Sequence, residues 1–179
     1  GLITNNNYST LNKQGFILGL RPNLNQVLFR KSTNSTTSGS TDYDMLENIT
    51  EVPHMGYFIS GSANNSTGMT NEQNLAVLNI DYTGAIIHSD IHDMTNAWMA
   101  GSSVLFVNDI NQVYVLCNTS SEHTFLIARF NPTTALINGQ WWRHDINSLN
   151  VGSEVNVNGF DLENMSHENI LVSGYIDLF

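Results

Sequence analysis

The sequence predicts an all-β chain made of about three copies of one four-stranded unit. Three observations carry this expectation. First, the apolar runs are short, about five to eight residues, rich in Val, Ile, Leu, Phe and Tyr, and separated by turn residues. Second, two patterns recur along the chain with one common period. Third, charged residues make up 12% of the chain, while Asn alone occurs 25 times. Asn, Ser and Thr compete for their own backbone hydrogen bonds, so they favour turns and strand-rich surfaces over helices.

The strand-like runs, in order, are Gly15–Leu20, Val27–Arg30, Gly56–Ser62, Leu75–Ile80, Ala85–His88, Ser103–Val107, Val113–Cys117, Thr124–Phe130, Gln140–His144, Val155–Phe160 and Asn169–Tyr175. Leu46–Val52 has the length of a helical turn, but Ile49, Thr50 and Val52 are β-branched and favour a strand. Residues 1–13 read as a polar lead-in and residues 14–179 as a single repeat domain. The stretch Lys31–Asp42, almost wholly Ser, Thr, Asn and Gly, reads as an exposed outer loop.

The repetition is specific. Tyr57-Phe58-Ile59-Ser60-Gly61 returns as Tyr114-Val115-Leu116-Cys117-Asn118, then as Ile170-Leu171-Val172-Ser173-Gly174, at steps of 57 and 56 residues. A strand ending in a polar turn reads Leu18-Gly19-Leu20-Arg21-Pro22-Asn23, then Leu78-Asn79-Ile80-Asp81-Tyr82-Thr83-Gly84, then Ala128-Arg129-Phe130-Asn131-Pro132-Thr133. A short strand follows each turn: Val27-Leu28-Phe29, Ile86-Ile87-His88 and Trp141-Trp142-Arg143.

These motifs resemble the bacterial surface β-propeller repeats that run strand, Asp-x-x-Gly turn, strand with Trp, long loop, then Asp-Gly-Gly-Tyr-Ile-x-x-Gly. The best match is Met55-Gly56-Tyr57-Phe58-Ile59-Ser60-Gly61-Ser62, and Asp81-Tyr82-Thr83-Gly84 matches the turn. His54 and Met55 stand where the family has Asp and its first Gly; Asn111, Gln112 and Val113 replace Asp-Gly-Gly in the second repeat. The resemblance covers about residues 15–175 and implies a scaffold, not an activity.

The phase of the repeat matters. Counting strands from the propeller axis outward, the chain opens with a third and a fourth strand. Two complete units follow, Met45–His88 and Ser103–His144, and a first and a second strand close the series. This makes about three four-stranded blades of a partial ring. A propeller closes with about four to eight blades, so the expectation is a piece of a longer repeat protein or a homodimer completing a six-bladed ring. A β-sandwich is the alternative architecture.

Six Lys and Arg face sixteen Asp and Glu, for a formal charge of −10. Such a surface repels phosphate backbones and anionic bilayers, so the expectation is no nucleic-acid partner, and anionic membrane surfaces are disfavoured. No run approaches the roughly 20 apolar residues of a membrane span. Low charge, acidity and abundant Asn suit an extracellular or cell-surface protein. The chain begins at Gly1, which suggests a processed start. The one cysteine, Cys117, lies in an apolar run with no basic neighbour, and reads as a small core residue rather than a nucleophile.

Four places hold site-like residues. His88, Asp90 and His92 alternate on a strand, so they point to one side as metal ligands could; a solvated edge running into a loop explains them as well, and no metal is assigned. Glu154 to Asp161 carries alternating oxygen ligands and a Gly like a calcium loop, but Asn156 and Asn158 weaken its charge, and a first strand facing the axis is preferred. In Trp141-Trp142-Arg143 only one Trp can face a ligand, and the repeat places a core Trp there. Trp98, just before a first strand, is the preferred ligand-facing residue. No catalytic motif and no cofactor fingerprint is present. The expected function is a non-catalytic binding module for a protein or glycan, with a lectin or a propeller glycoside hydrolase as alternatives.

Overall fold

The computed structural model describes residues 16–20, 26–32, 42–64, 73–92, 99–119, 124–145, 155–166 and 169–178. Twelve strands occupy them: β1 (Phe16–Leu20), β2 (Val27–Ser32), β3 (Asp42–Val52), β4 (Gly56–Asn64), β5 (Gln73–Ile80), β6 (Ile86–His92), β7 (Met99–Val107), β8 (Gln112–Thr119), β9 (Thr124–Phe130), β10 (Ile137–Asp145), β11 (Val155–Ser166) and β12 (Asn169–Leu178). Among the described residues the only helical element is a single 3-10 turn, Asn108–Ile110. Leu46–Val52 is strand, as its β-branched residues require. The lead-in 1–13, Trp98, Glu154 and the middle of the Lys31–Asp42 stretch lie outside the described residues.

The strands form four antiparallel sheets, each with its strands in chain order: β1-β2, β3-β4-β5-β6, β7-β8-β9-β10 and β11-β12. Local chemistry fixes the turns. Between β5 and β6, Asp81 Oδ1 accepts hydrogen bonds from the Thr83 amide (2.8 Å), the Thr83 hydroxyl (2.6 Å) and the Ala85 amide (2.9 Å). These bonds stabilise the carboxylate and hold its pKa below the usual value, the Thr83 hydroxyl having the largest effect. Gly84 takes the positive φ of 82° that ends the turn. Asn131 repeats the arrangement between β9 and β10, accepting from the Thr133 amide at 2.8 Å. Gly56 opens β4 at φ 137°, where a Cβ would sit 2.0 Å from the Ile80 carbonyl oxygen.

The four sheets stack face to face in chain order, because the central strands are apolar on both faces. In β8, Val113, Val115 and Cys117 face the second sheet and pack with Val52, Phe58, Leu75 and Val77. Tyr114 and Leu116 face the other way and pack with Leu162, Ile170 and Val172 of the fourth sheet. On the far side of the second sheet, Ile59, Leu78 and Ile80 pack against Ile17 and Phe29 of the first. β7 lies between β3 and β11, so the first strands of three successive sheets adjoin one another. A polar link crosses the second and third sheets: the buried Asn79 side-chain amide donates to the Pro132 carbonyl.

The strand pairing corrects the repeat alignment at one point. Tyr57 sits between Glu51 and Ile80; Val113 sits between Phe106 and Phe130. The structural counterpart of Tyr57 is therefore Val113, not Tyr114. Residues 53–55 join β3 to β4, whereas residues 108–111, one residue more, join β7 to β8. A one-residue slip exchanges the two faces of a strand. Tyr57 and Val113 both face the preceding sheet, while Tyr114 faces the following one. The second motif is in register: Leu78 and Ile80 match Ala128 and Phe130.

Phe58, Ile59, Val115 and Leu116 are buried, as the repeat implies. In the third repeat Val172 is only partly buried against the third sheet, and Leu171 departs further. It faces away from the third sheet, where no further sheet packs among the described residues, and it is 46% exposed.

Replacing Leu116, fully buried between two sheets, with Ala is expected to cost about 2–5 kcal/mol in urea unfolding. A cost under about 0.5 kcal/mol would place that face outside the core. Gly56→Ala is expected to destabilise by more than about 1 kcal/mol, because Ala resists positive φ and meets backbone there.

Candidate functional site

Site-like side chains arise at several separate places in the sheet stack. β6 runs on to His92, so Asp90 and His92 stand on the strand rather than in a loop. His88, Asp90 and His92 pair with Asn79, Val77 and Leu75, and so share one side, as their alternation implies. They do not converge on an ion: among the described residues no group of three or more His, Cys, Asp or Glu is placed to hold a metal.

His92 is not a solvated edge residue. Its ring packs against Phe130 of the third sheet at 5.2 Å between centroids. Its Nε2 is buried without a hydrogen-bond partner, 3.6 Å from Asp90 Oδ2. Burial pushes the His92 pKa below its ordinary 6.5, and the Asp90 charge and a hydrogen bond to the Ala135 backbone oppose that shift. The neutral imidazole is thus a packing element between β6 and the β9–β10 turn.

On the first strands, the Ser103 hydroxyl donates to Asp161 Oδ1 at 2.7 Å. The Leu162 amide donates to the Ser103 oxygen at 3.2 Å and to Asp161 Oδ1 at 2.9 Å. Asp161, the last ligand position of the calcium-like stretch, therefore ties β11 to β7. The stretch from Val155 onward is strand, with bulges between Gly159 and Asp161 and between Asn164 and Ser166.

An aromatic shelf lies on the third sheet, on the face that carries the fourth. Trp142 pairs with Ile127 and is 37% exposed. It stacks on Tyr114 (centroids 6.4 Å, planes 24° apart), and the Arg129 guanidinium carbon lies 5.8 Å from its ring centroid. Tyr114, Arg129 and Trp142 come from three adjacent strands, so only the pairing register brings them together.

A cleft of about 200 Å³ opens between β1 and the β3–β4 pair. Phe16, Ile17 and Leu18 form one wall, residues 46–49 and Ile59 the other. Partial burial there raises the Glu47 pKa above the usual carboxylate value. The cleft is smaller than the roughly 300–1,000 Å³ of ordinary ligand pockets. Cys117 is wholly buried in the core, and burial pushes its thiol pKa far up, which removes it as a nucleophile. Trp98, the ligand-facing residue favoured by the sequence, lies outside the described residues.

Comparisons with protein-family models, with curated proteins and with solved structures find no match.

The depressed His92 pKa fixes a pH dependence. At pH above about 6.5, His92 is neutral in both folded and unfolded chains and its contribution is complete. As pH falls from about 6.5 toward the lower folded value, the unfolded chain takes up the proton first, so stability is lost. The stability difference between the protein and His92→Phe should shift in favour of the variant from about pH 7.5 to about pH 5.5 in urea titrations. A constant difference would mean that His92 titrates normally in the fold.

Proposed function

We propose that the chain is a non-catalytic interaction module of a secreted or cell-surface protein, carried on an arc of β-propeller blades. Two whole blades are flanked by an outer half-blade and an inner half-blade. Support for the propeller comes from the stacking of sheets in chain order, from the adjacency of β3, β7 and β11, and from the blade-like phase of the repeats. The bacterial surface repeats that the motifs resemble have the same strand plan.

The observation that carries the functional reading is a separation of chemistries. Among the described residues the polar side chains capable of catalysis are dispersed: the Asp90–His92 pair lies on β6, Ser103–Asp161 between first strands, and Glu47 in the cleft beside β1. Each is engaged in packing, in linking sheets or in lining that cleft. Large apolar side chains are instead exposed on the outer faces of the end sheets, including Leu18, Leu28, Met165 and Leu171. Exposed apolar faces of that kind mark interaction surfaces. The net charge of −10 directs the module away from nucleic acid and anionic lipid.

A lectin is the second reading, favoured by the exposed Trp142 beside Tyr114 and Arg129, since aromatic faces stack on sugar rings. A glycan array combined with a glycoside hydrolysis panel separates these readings. The expected result is no turnover and no retained glycan. Turnover of any glycan would sink both non-catalytic readings. Retention of a glycan, lost in Trp142→Ala, would establish the lectin.

A further inference from the structure

We propose that two copies of this chain close a single six-sheet ring by exchanging half-sheets, with β12 of each copy pairing antiparallel with β1 of the other. The proposal rests on the propeller reading of the stack and names the partner of its open faces. The two end sheets are complementary halves. The first sheet holds only the outer strands of a four-stranded unit, and the fourth holds only the inner ones. Among the described residues β1 pairs only with β2, and β12 only with β11, so each has one open edge.

The open faces match the missing halves. On the second sheet, β1 and β2 cover the outer part of the face, through Ile17 and Phe29 over Ile59, Leu78 and Ile80. The inner part is the cleft beside β1, where Ile49 is 55% exposed. Inner strands would fill that space. On the third sheet the coverage is reversed. β11 lies over β7, β8 and β9, while Trp142 on the outer strand β10 stays partly exposed. Outer strands would fill that space. The intact contact between the second and third sheets serves as the template, since the exchange continues the same face-to-face packing around the ring.

The register of the joint follows from the pairs already formed. Tyr57 opposes Ile80, and Val113 opposes Phe130. Carried to the ends of the chain, the same rule sets Ile170 opposite Leu20, Val172 opposite Leu18, and Gly174 opposite Phe16. The faces then agree. Val172 packs toward its own third sheet, and Leu18 points away from its own second sheet, so both lie on one side of the composite sheet. Leu171 falls beside Gly19 on the other side, and is carried over Ile49 and Ile59 of the partner copy. A one-residue slip would turn Leu171 to the wrong face. Leu18 and Leu20 are carried over the partner's Trp142. Strand addition at an open edge supplies main-chain hydrogen bonds, and the alternating pockets supply specificity.

Sedimentation equilibrium at micromolar concentration is expected to give twice the 19.9 kDa chain mass. Leu171→Glu and Ile49→Glu place charge on the two facing sides of the joint, on side chains exposed in the single chain. Each is expected to weaken the dimer at least ~10-fold while leaving the strand signal in circular dichroism unchanged. The double variant Leu18→Cys with Val172→Cys is expected to form a reducible, covalent dimer on oxidation, which neither single variant forms, because opposed residues of paired strands lie within disulfide reach. A monomeric wild-type chain overturns the exchange, and leaves the open faces to other repeats of a longer chain. So does a disulfide formed within one chain, or a dimer indifferent to both glutamates. Glycan turnover, which would overturn the functional reading, leaves these masses unchanged, so the two fail separately.

Discussion

Everything in this molecule depends on central strands that are apolar on both faces. β5 buries Leu75 and Val77 on one side and Leu78 and Ile80 on the other. β8 does the same with Val115 and Leu116. A sheet containing such a strand cannot present either face to water, so each whole sheet needs a neighbour on both sides. Stacking is the only solution open to a chain that makes successive short hairpins. Chain order then becomes stacking order, and the end sheets inherit the unsolved half of the problem. Leu171 and Ile49 are exposed for that reason, not because the repeat weakens there.

Polar groups within the stack tie sheets together. Asn79 reaches the Pro132 carbonyl across the second and third sheets, and Ser103 and Asp161 join the third and fourth. His92 wedges its imidazole against Phe130. Each contact is local, and each group gains definition in a low-dielectric setting at the cost of conformational or ionisation freedom. Ser60 and Ser62 lie on the same buried face as Phe58, their hydroxyls without hydrogen-bond partners, so that face is not uniformly apolar. Small side chains at these positions let the sheets approach closely.

The same design disperses the reactive groups of the described residues. A scaffold of repeated hairpins brings equivalent positions of neighbouring sheets together, and those positions are mostly Val, Leu, Ile and Phe. Asp81 and Asn131, which do repeat, are consumed by their turns. In the proposed interaction module, recognition would fall to faces and edges, where exposed apolar side chains and the unpaired groups of an open strand lie.

Sequence alone determined the succession of strands and their division into two, four, four and two, because alternation, β-branching and turn chemistry act over a few residues. It also marked His88, Asp90 and His92 as sharing one side, which needs only period two. It misplaced Tyr114 against Tyr57, since similar apolar letters cannot reveal that one connection is a residue longer. Only pairing across the sheet decided which face each side chain takes. The burial of His92, the diversion of Asp161 to Ser103, and the meeting of Trp142 with Tyr114 and Arg129 were likewise tertiary decisions. They join residues far apart in sequence, whose contact exists only once separate strands and sheets have packed.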